Sequence, residues 1–281
     1  MPRTIHLLFF IIFITACSTH RQRSSYRILQ QTTHSSDIQQ QASAIKQISK
    51  NLFITGSFTG STGGKIMYRL LSPAHTEAGR RYPLVLVFHG SGAIGNDNES
   101  QLGVLSKMWA SEYNRNHYPC YVLVPQFAER SANYHTDSTK QVLSSVPSKN
   151  LSTALELLDS LQQHLPVDSN HVYVTGFSMG ASATYNALLL RPRTFAAGIA
   201  IAGVPNFEQE KQLLHTPLWI IHGNADTENI FRYDSLFYHE MKAQGAKQIR
   251  FWELDKTGHE IIPELYTGDE IPKWLFQWRK K

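Results

Sequence analysis

The chain has 281 residues, 42% of them hydrophobic, 17% charged and 11% aromatic, a composition that supplies a packed core and excludes a disordered or fibrous protein. Its 27 Lys+Arg against 22 Asp+Glu give a net charge of +5, yet residues 17–50 alone hold five bases and one acid, and residues 51–281 hold 21 of each. A balanced body gives no reason to expect nucleic acid or a strongly acidic partner.

The chain opens with Arg3, a run from Ile5 to Ile14 that is apolar apart from His6, and then Thr15-Ala16-Cys17. A charged start, a short apolar stretch and a small-residue site read as a signal peptide over residues 1–16; a spanning helix needs about 20 apolar residues. Ile14-Thr15-Ala16-Cys17 also resembles a bacterial lipobox. That resemblance implies a lipid on Cys17 and a protein anchored in the bacterial cell envelope, on the periplasmic side or at the cell surface. The alternative is an ordinary signal peptide with a chance cysteine beyond the cut. Residues 17–50 are rich in Gln, Ser and Thr with Tyr26 the only aromatic, so they are expected to form a flexible tether, leaving residues 51–281 as the folded domain. With Cys17 acylated, the second cysteine, Cys120, has no intramolecular partner and reads as a buried, inert thiol beside an apolar run.

From residue 51 the pattern becomes regular. Lys65–Leu71 alternates like a strand; Pro83–His89 and Tyr121–Pro125 are continuous apolar runs of the kind buried in parallel sheets. Leu151, Ala154, Leu155, Leu158 and Leu161 recur at helical spacing, and Pro166 stops that helix. There follow a strand at His171–Thr175, a small-residue helix at Met179–Arg191, strands at Ala196–Ala202 and Pro217–His222, a helix near Ser235–Ala243, a strand at Gln248–Leu254 and a closing helix near Ile271–Trp278. Strands alternating with helices predict one α/β domain, a mostly parallel sheet with helices on both faces. In such sheets the chemistry belongs in loops beyond the carboxyl ends of strands.

Gly176-Phe177-Ser178-Met179-Gly180 falls between a strand and a helix, where a strained turn lifts a serine hydroxyl above the sheet. A nucleophilic serine needs a base and the base an orienting carboxylate, in the chain order serine, acid, histidine. Asp226 follows one buried strand and His259 the next, so Ser178 is assigned as nucleophile, His259 as base and Asp226 as orienting acid. Their nearest competitors are Asp234, read as a helix-start acid, and His222, read as a brace at a strand end. Two backbone N–H groups should receive negative charge in the transition state: that of Met179, after the nucleophile, and that of Ser91, in the glycine-rich loop after the first long buried strand.

Gly90-Ser-Gly92-Ala-Ile-Gly95 matches the dinucleotide fingerprint, but a turn sequence follows where that fingerprint opens a helix, so no nucleotide cofactor is expected. Neither His239-Glu240 nor His259-Glu260 continues into a zinc-peptidase motif, and no metal is expected.

Taken with Tyr82–Gly90, Gly95–Asn98, Val124-Pro125-Gln126, Val172–Gly180, Phe195-Ala196-Ala197 and His222-Gly223 with Asp226, the chain resembles the α/β-hydrolases, in the secreted esterase branch of predicted peptidases related to feruloyl esterases. The resemblance implies the same three catalytic residues, no cofactor, and hydrolysis of a carboxylic ester, on a small molecule or a glycan, through an acyl-enzyme. A peptidase of the same fold and a non-catalytic binding protein are the alternatives. Two departures stand out: Ala181 replaces a second elbow glycine, and Glu260-Ile261-Ile262 replaces the family's His-x-x-Trp pattern.

Overall fold

The computed structural model describes residues 25–30 and 35–280; the expected signal peptide and Cys17 lie outside the described residues. Eleven strands are present among them: β1 (Tyr26–Leu29), β2 (Ile54–Thr59), β3 (Lys65–Leu71), β4 (Tyr82–Phe88), β5 (Tyr121–Gln126), β6 (Ala132–Asp137), β7 (Val142–Pro147), β8 (Val167–Phe177), β9 (Ala197–Ile201), β10 (Leu218–Gly223) and β11 (Ile249–Leu254). The helices are α1 (Ser36–Gln47), α2 (Val104–Lys107), α3 (Glu112–His117), α4 (Lys149–His164), α5 (Met179–Leu190), α6 (Arg232–Ala243), α7 (Pro263–Thr267) and α8 (Glu270–Phe276). Nine strands form one sheet in the order β1-β11-β10-β9-β8-β4-β5-β3-β2, parallel from β1 to β5, with β3 and β2 antiparallel at one edge.

Alternation along the strands divides the core between the two faces. Leu84, Leu86 and Phe88 of β4 pack with Leu151, Leu155, Leu158, Tyr185 and Phe237, under α4, α5 and α6. Val85 and Val87 turn to the other face, with Leu105, Trp109, Trp274 and Leu275. Both faces being covered is why β4 and β5 read as unbroken apolar runs. The α/β expectation therefore holds, and the elements expected between Lys65 and Trp278 all appear.

The expected tether does not survive. Residues 26–29 form β1, the edge strand paired in parallel with β11 from Tyr26 to Leu29, and Tyr26 packs against Tyr238 and Phe251. Residues 36–47 form α1, whose Ser35 cap accepts a bond from the Ile38 amide and whose Ala42 and Ile45 are buried in the core. Averaged composition concealed the strand, since an edge strand needs few apolar residues; Ala42–Ile48 shows a helical turn or two in the sequence, and its narrow apolar stripe proves to be the end of a longer helix. Nor did the sequence reading assign β6 and β7, a separate hairpin held over the start of α5 by Tyr134, whose hydroxyl donates to Ser182 Oγ at 3.2 Å, and by the Ser145 amide, which donates to the Pro205 carbonyl at 2.8 Å.

Candidate active site

Between the last residue of β8 and the first of α5 the chain reverses at Ser178, whose φ of 58° and ψ of −120° lie where L residues are strained. Close packing holds the turn. A Cβ added to Gly176 would stand 2.3 Å from the Gly180 carbonyl oxygen, and one on Gly180 would stand 2.3 Å from that of Phe88. Raised in this way, the Ser178 hydroxyl donates to His259 Nε2 at 2.8 Å. On the far side of the ring, His259 Nδ1 donates to Asp226 Oδ2 at 2.7 Å. A carboxylate can only accept, so this bond keeps the proton on Nδ1 and leaves the Nε2 lone pair facing the serine. The structure thus brings Ser178, His259 and Asp226 into one hydrogen-bonded line from the ends of β8, β11 and β10.

Asp226 is held on every side. Its Oδ1 accepts from the amides of Glu228 (2.8 Å) and Asn229 (3.0 Å), and its Oδ2 accepts a second ring donor, His222 Nε2, at 3.2 Å. Burial opposes the charge on this carboxylate, but the bonds from His222, His259 and the Glu228 amide outweigh it and hold the pKa at about 2.

His222 does brace the loop after its strand, bonding Asp226 and the Asn229 carbonyl, and it also reaches α6. It is fully buried at the end of β10, with Nδ1 2.7 Å from Asp234 Oδ2 and Nε2 also 2.8 Å from the Asn229 carbonyl. Asp234 in turn accepts from the Tyr185 hydroxyl at 2.5 Å and the Gly203 amide at 3.3 Å. Nε2 faces the Asn229 carbonyl and Asp226, and Nδ1 faces Asp234; donating on both sides, the ring is an imidazolium. Burial lowers its pKa, but hydrogen bonds to Asp226 and Asp234 and the charge of Asp234 raise it to about 9. Asp234 is therefore no simple helix-start acid: it belongs to the buried face of α6 with Phe237, Tyr238 and Met241. That i, i+3, i+4, i+7 spacing was the available signal, because an acid on an apolar face must have a partner.

The two expected amides lie at the first residues of helical turns, Ser91 of a single 3-10 turn (Ser91–Ala93) and Met179 of α5. A first-turn N–H has no acceptor in its own helix, which leaves it for an outside oxygen. The fingerprint-like loop makes only that short turn.

Residues that carry the family resemblance without an assigned role, together with Arg69, clip this loop in place. The His89 ring donates from Nδ1 to the Gly90 carbonyl at 2.7 Å and accepts at Nε2 from the Phe127 amide at 3.0 Å, and burial lowers its pKa, so it stays neutral. Gln126 accepts from the Asn98 amide at 2.5 Å and donates to Asp97 Oδ1 at 2.7 Å, while Arg69 donates to the Asn98 carbonyl at 2.6 Å. A polar glutamine ending an apolar strand was the visible cue.

A cavity of about 250 Å³, whose wall includes the chain neighbours of Ser91 and Ser178 but not those residues themselves, is lined by Gly90, Val104, Leu105, Phe177 and Ile261 with the polar His89, Ser100 and Gln101. Ile261 belongs to the segment that departs from the His-x-x-Trp pattern, so an aliphatic wall stands in that region. Among the described residues, no group of three or more His, Cys, Asp or Glu could hold a metal ion, and no helix is long and apolar enough to cross a membrane. Cys120 is buried, and burial pushes its thiol pKa up, away from nucleophilic use.

The family model Esterase, described as "Putative esterase", matches residues 59–254, well over half of the chain. The chain belongs to this esterase family. The matched span contains Ser178 and Asp226, and His259 lies just beyond it. Among solved structures, a thermostable esterase is 26% identical with a TM-score of 0.74, covering 82% of this chain and 64% of its own. A ferulic acid esterase from Anaeromyces mucronatus superposes with a TM-score of 0.54 at 14% identity, over 76% of this chain and 88% of its own, and Porphyromonas gingivalis dipeptidyl peptidase 4 with 0.59 at 17%, over 80% and 35%. These last two share the α/β-hydrolase fold. No curated protein is a significant match to the chain.

Proposed function

We propose that this member of the esterase family is a serine-dependent carboxylic ester hydrolase acting through an acyl-enzyme on Ser178. One observation carries the reading: a serine on a strained strand-to-helix turn, donating to an imidazole whose other nitrogen is fixed by a buried carboxylate. As Ser178 Oγ bonds to the ester carbonyl carbon, its proton passes to His259 Nε2, and Asp226 steadies the imidazolium that forms. The carbonyl oxygen, now negative, is received by the Ser91 and Met179 amides. His259 then gives the proton to the alkoxy oxygen as the carbon–oxygen bond breaks, and water repeats the sequence to free the acid.

The cavity formed by Gly90, Phe177 and Ile261 suits a small apolar group of the substrate. Acyl decorations on polysaccharides are the substrate class that the ferulic acid esterase likeness favours. The peptidase alternative has less support, since the family model and the 26% identical structure are esterases, while the dipeptidyl peptidase likeness, at 17% identity, shows the fold alone. The proposal places the enzyme in the bacterial envelope, tethered by a lipid on Cys17, with no cofactor.

Hydrolysis of p-nitrophenyl acetate and of feruloylated and acetylated glycans, compared with aminoacyl anilides, tests the class. Labelling by a fluorophosphonate, mapped by mass spectrometry to the peptide holding Ser178, tests the serine. Unlabelled Ser178 with intact turnover would overturn the assignment.

A further inference from the structure

The equal numbers of acids and bases in residues 51–281 are not evenly spread. Because β4, β5, β8, β9, β10 and β11 run parallel, every segment entering them lies at one pole and every segment leaving them at the other, where Ser178, Asp226 and His259 sit. The segments 89–103, 127–131, 202–209, 224–231 and 255–262, on the leaving side, hold eight acids and two bases. The segments 72–81, 115–120, 190–196, 210–217 and 242–248, on the entering side, hold eight bases and two acids. Helix dipoles explain a base such as Lys242 in the last turn of α6, but Arg193 and Lys247 lie in loops past helix ends.

The first residue of the described domain opens on the basic pole. Ser25, immediately before β1, lines a cleft of about 570 Å³ with Lys242, Lys247, Lys273 and Trp278, and with Arg250 and a single acid, Glu270, which pair with each other at 3.9 Å. Lys242, Lys247 and Lys273 are exposed, and neither Lys247 nor Lys273 forms an ion pair among the described residues. Since β1 is part of the sheet, the connection from Cys17 to the domain is eight residue steps rather than the expected long tether. Fully extended, eight residues reach about 28 Å.

We infer that this basic pole rests on an anionic phospholipid surface, with Ser178 turned away from the bilayer. The inference rests on the proposed lipid at Cys17 for its short leash, and on the charge separation for its direction. It deepens the proposed function: the ester attacked belongs to molecules beyond the membrane surface, and bilayer lipids are out of reach of the site.

The test uses the full-length, lipid-modified chain in vesicles of 30% phosphatidylglycerol and 70% phosphatidylcholine. A single fluorophore is attached at Lys247→Cys or, at the opposite pole, at exposed Glu129→Cys; Cys120 is buried and Cys17 is acylated, so the label is site-specific. Quenching by headgroup-labelled lipid should be several-fold stronger at 247 than at 129. That contrast should collapse in Lys242→Glu/Lys273→Glu, in 0.5 M salt and in pure phosphatidylcholine, with hydrolysis of soluble p-nitrophenyl acetate unchanged. Equal quenching at the two positions, or a contrast insensitive to charge and salt, would overturn the docking. The anchor is judged separately by Cys17→Ser. If membrane fractionation of that variant is unchanged, the lipid reading fails. Partition of the Cys17→Ser chain onto the anionic vesicles should still fall about a hundredfold on reversing the two lysines, and a smaller than twofold change would defeat the docking on its own.

Discussion

Two imidazole–carboxylate pairs stand back to back beneath Ser178, and they do different work with the same chemical groups. In the outer pair, His259 and Asp226, the ring has one acceptor partner and one nitrogen left over, so it is poised to take a proton. In the inner pair, His222 and Asp234, both ring nitrogens are already committed as donors, so the ring has no lone pair to offer and serves as a buried cation. Asp226 belongs to both, accepting from His259 and from His222 through the same oxygen. The difference teaches that the number of acceptors around an imidazole, rather than its depth alone, decides whether it is a base or a fixture. The inner cation keeps Asp226 ionised and immobile, which in turn holds His259 in the one orientation that reaches the serine.

The largest effect should come from breaking the outer pair. Asp226→Asn would leave Nδ1 facing an amide that can present its own donor, favouring the wrong tautomer, and kcat on p-nitrophenyl acetate should fall by about 10⁴. Asp234→Asn keeps an acceptor for His222 and should retain most of the activity; the opposite pattern would move the orienting acid to 234. Next in size, His222→Gln removes the cation between two buried carboxylates. Breaking a buried ionic network by one partner costs about 3–5 kcal/mol, read as a large loss of Tm or of the denaturant midpoint. Wild-type stability in that variant would show that the inner pair is ornamental.

How much of this the sequence disclosed follows from what kind of pattern each part makes. Ser178, Asp226 and His259 were legible because each follows a strongly apolar strand, and the topology carries all such loops to one edge. The Ser91 and Met179 amides stay with the proposal, since a turn sets where a backbone amide lies and not which oxygen it meets. The inner pair was not legible, because His222 and Asp234 were each read against a local default, a strand-end brace and a helix cap, while their meaning lies in a contact between β10 and α6. The strand β1 was hidden for a similar reason: four residues in a polar stretch become a strand only because β11 presents them an unpaired edge. The charge separation between the poles was invisible in a total, though each residue in it was countable.

The inner pair also leaves a mark on pH dependence. The His222 pKa is raised from 6.5 to about 9 in the folded state, so the stability it contributes is fully present below pH 6.5 and is lost as pH rises through 9. Asp226 is lowered from 3.8 to about 2, so its contribution is present above pH 3.8 and is lost as pH falls toward 2. Thermal melts of the wild type should therefore decline between pH 7 and 10, and His222→Gln should lack that alkaline decline while starting from a lower Tm. An identical alkaline slope in both would mean that His222 is neutral.

The smallest effect tests whether proximity alone makes a carboxylate part of the outer pair. Glu228 places Oε2 3.7 Å from His259 Nε2, against 2.8 Å for the serine hydroxyl, and its side chain is 73% exposed. Water screens such a charge, and exposed pairs contribute only about 0–1 kcal/mol. Glu228→Gln should accordingly change kcat/KM by less than about fivefold, and by less still in 0.5 M salt. A loss approaching that of Asp226→Asn would mean that Glu228 takes part in the proton transfer. Within the arrangement described, such a role has no place, because the Nε2 lone pair that would receive its influence is already directed at Ser178.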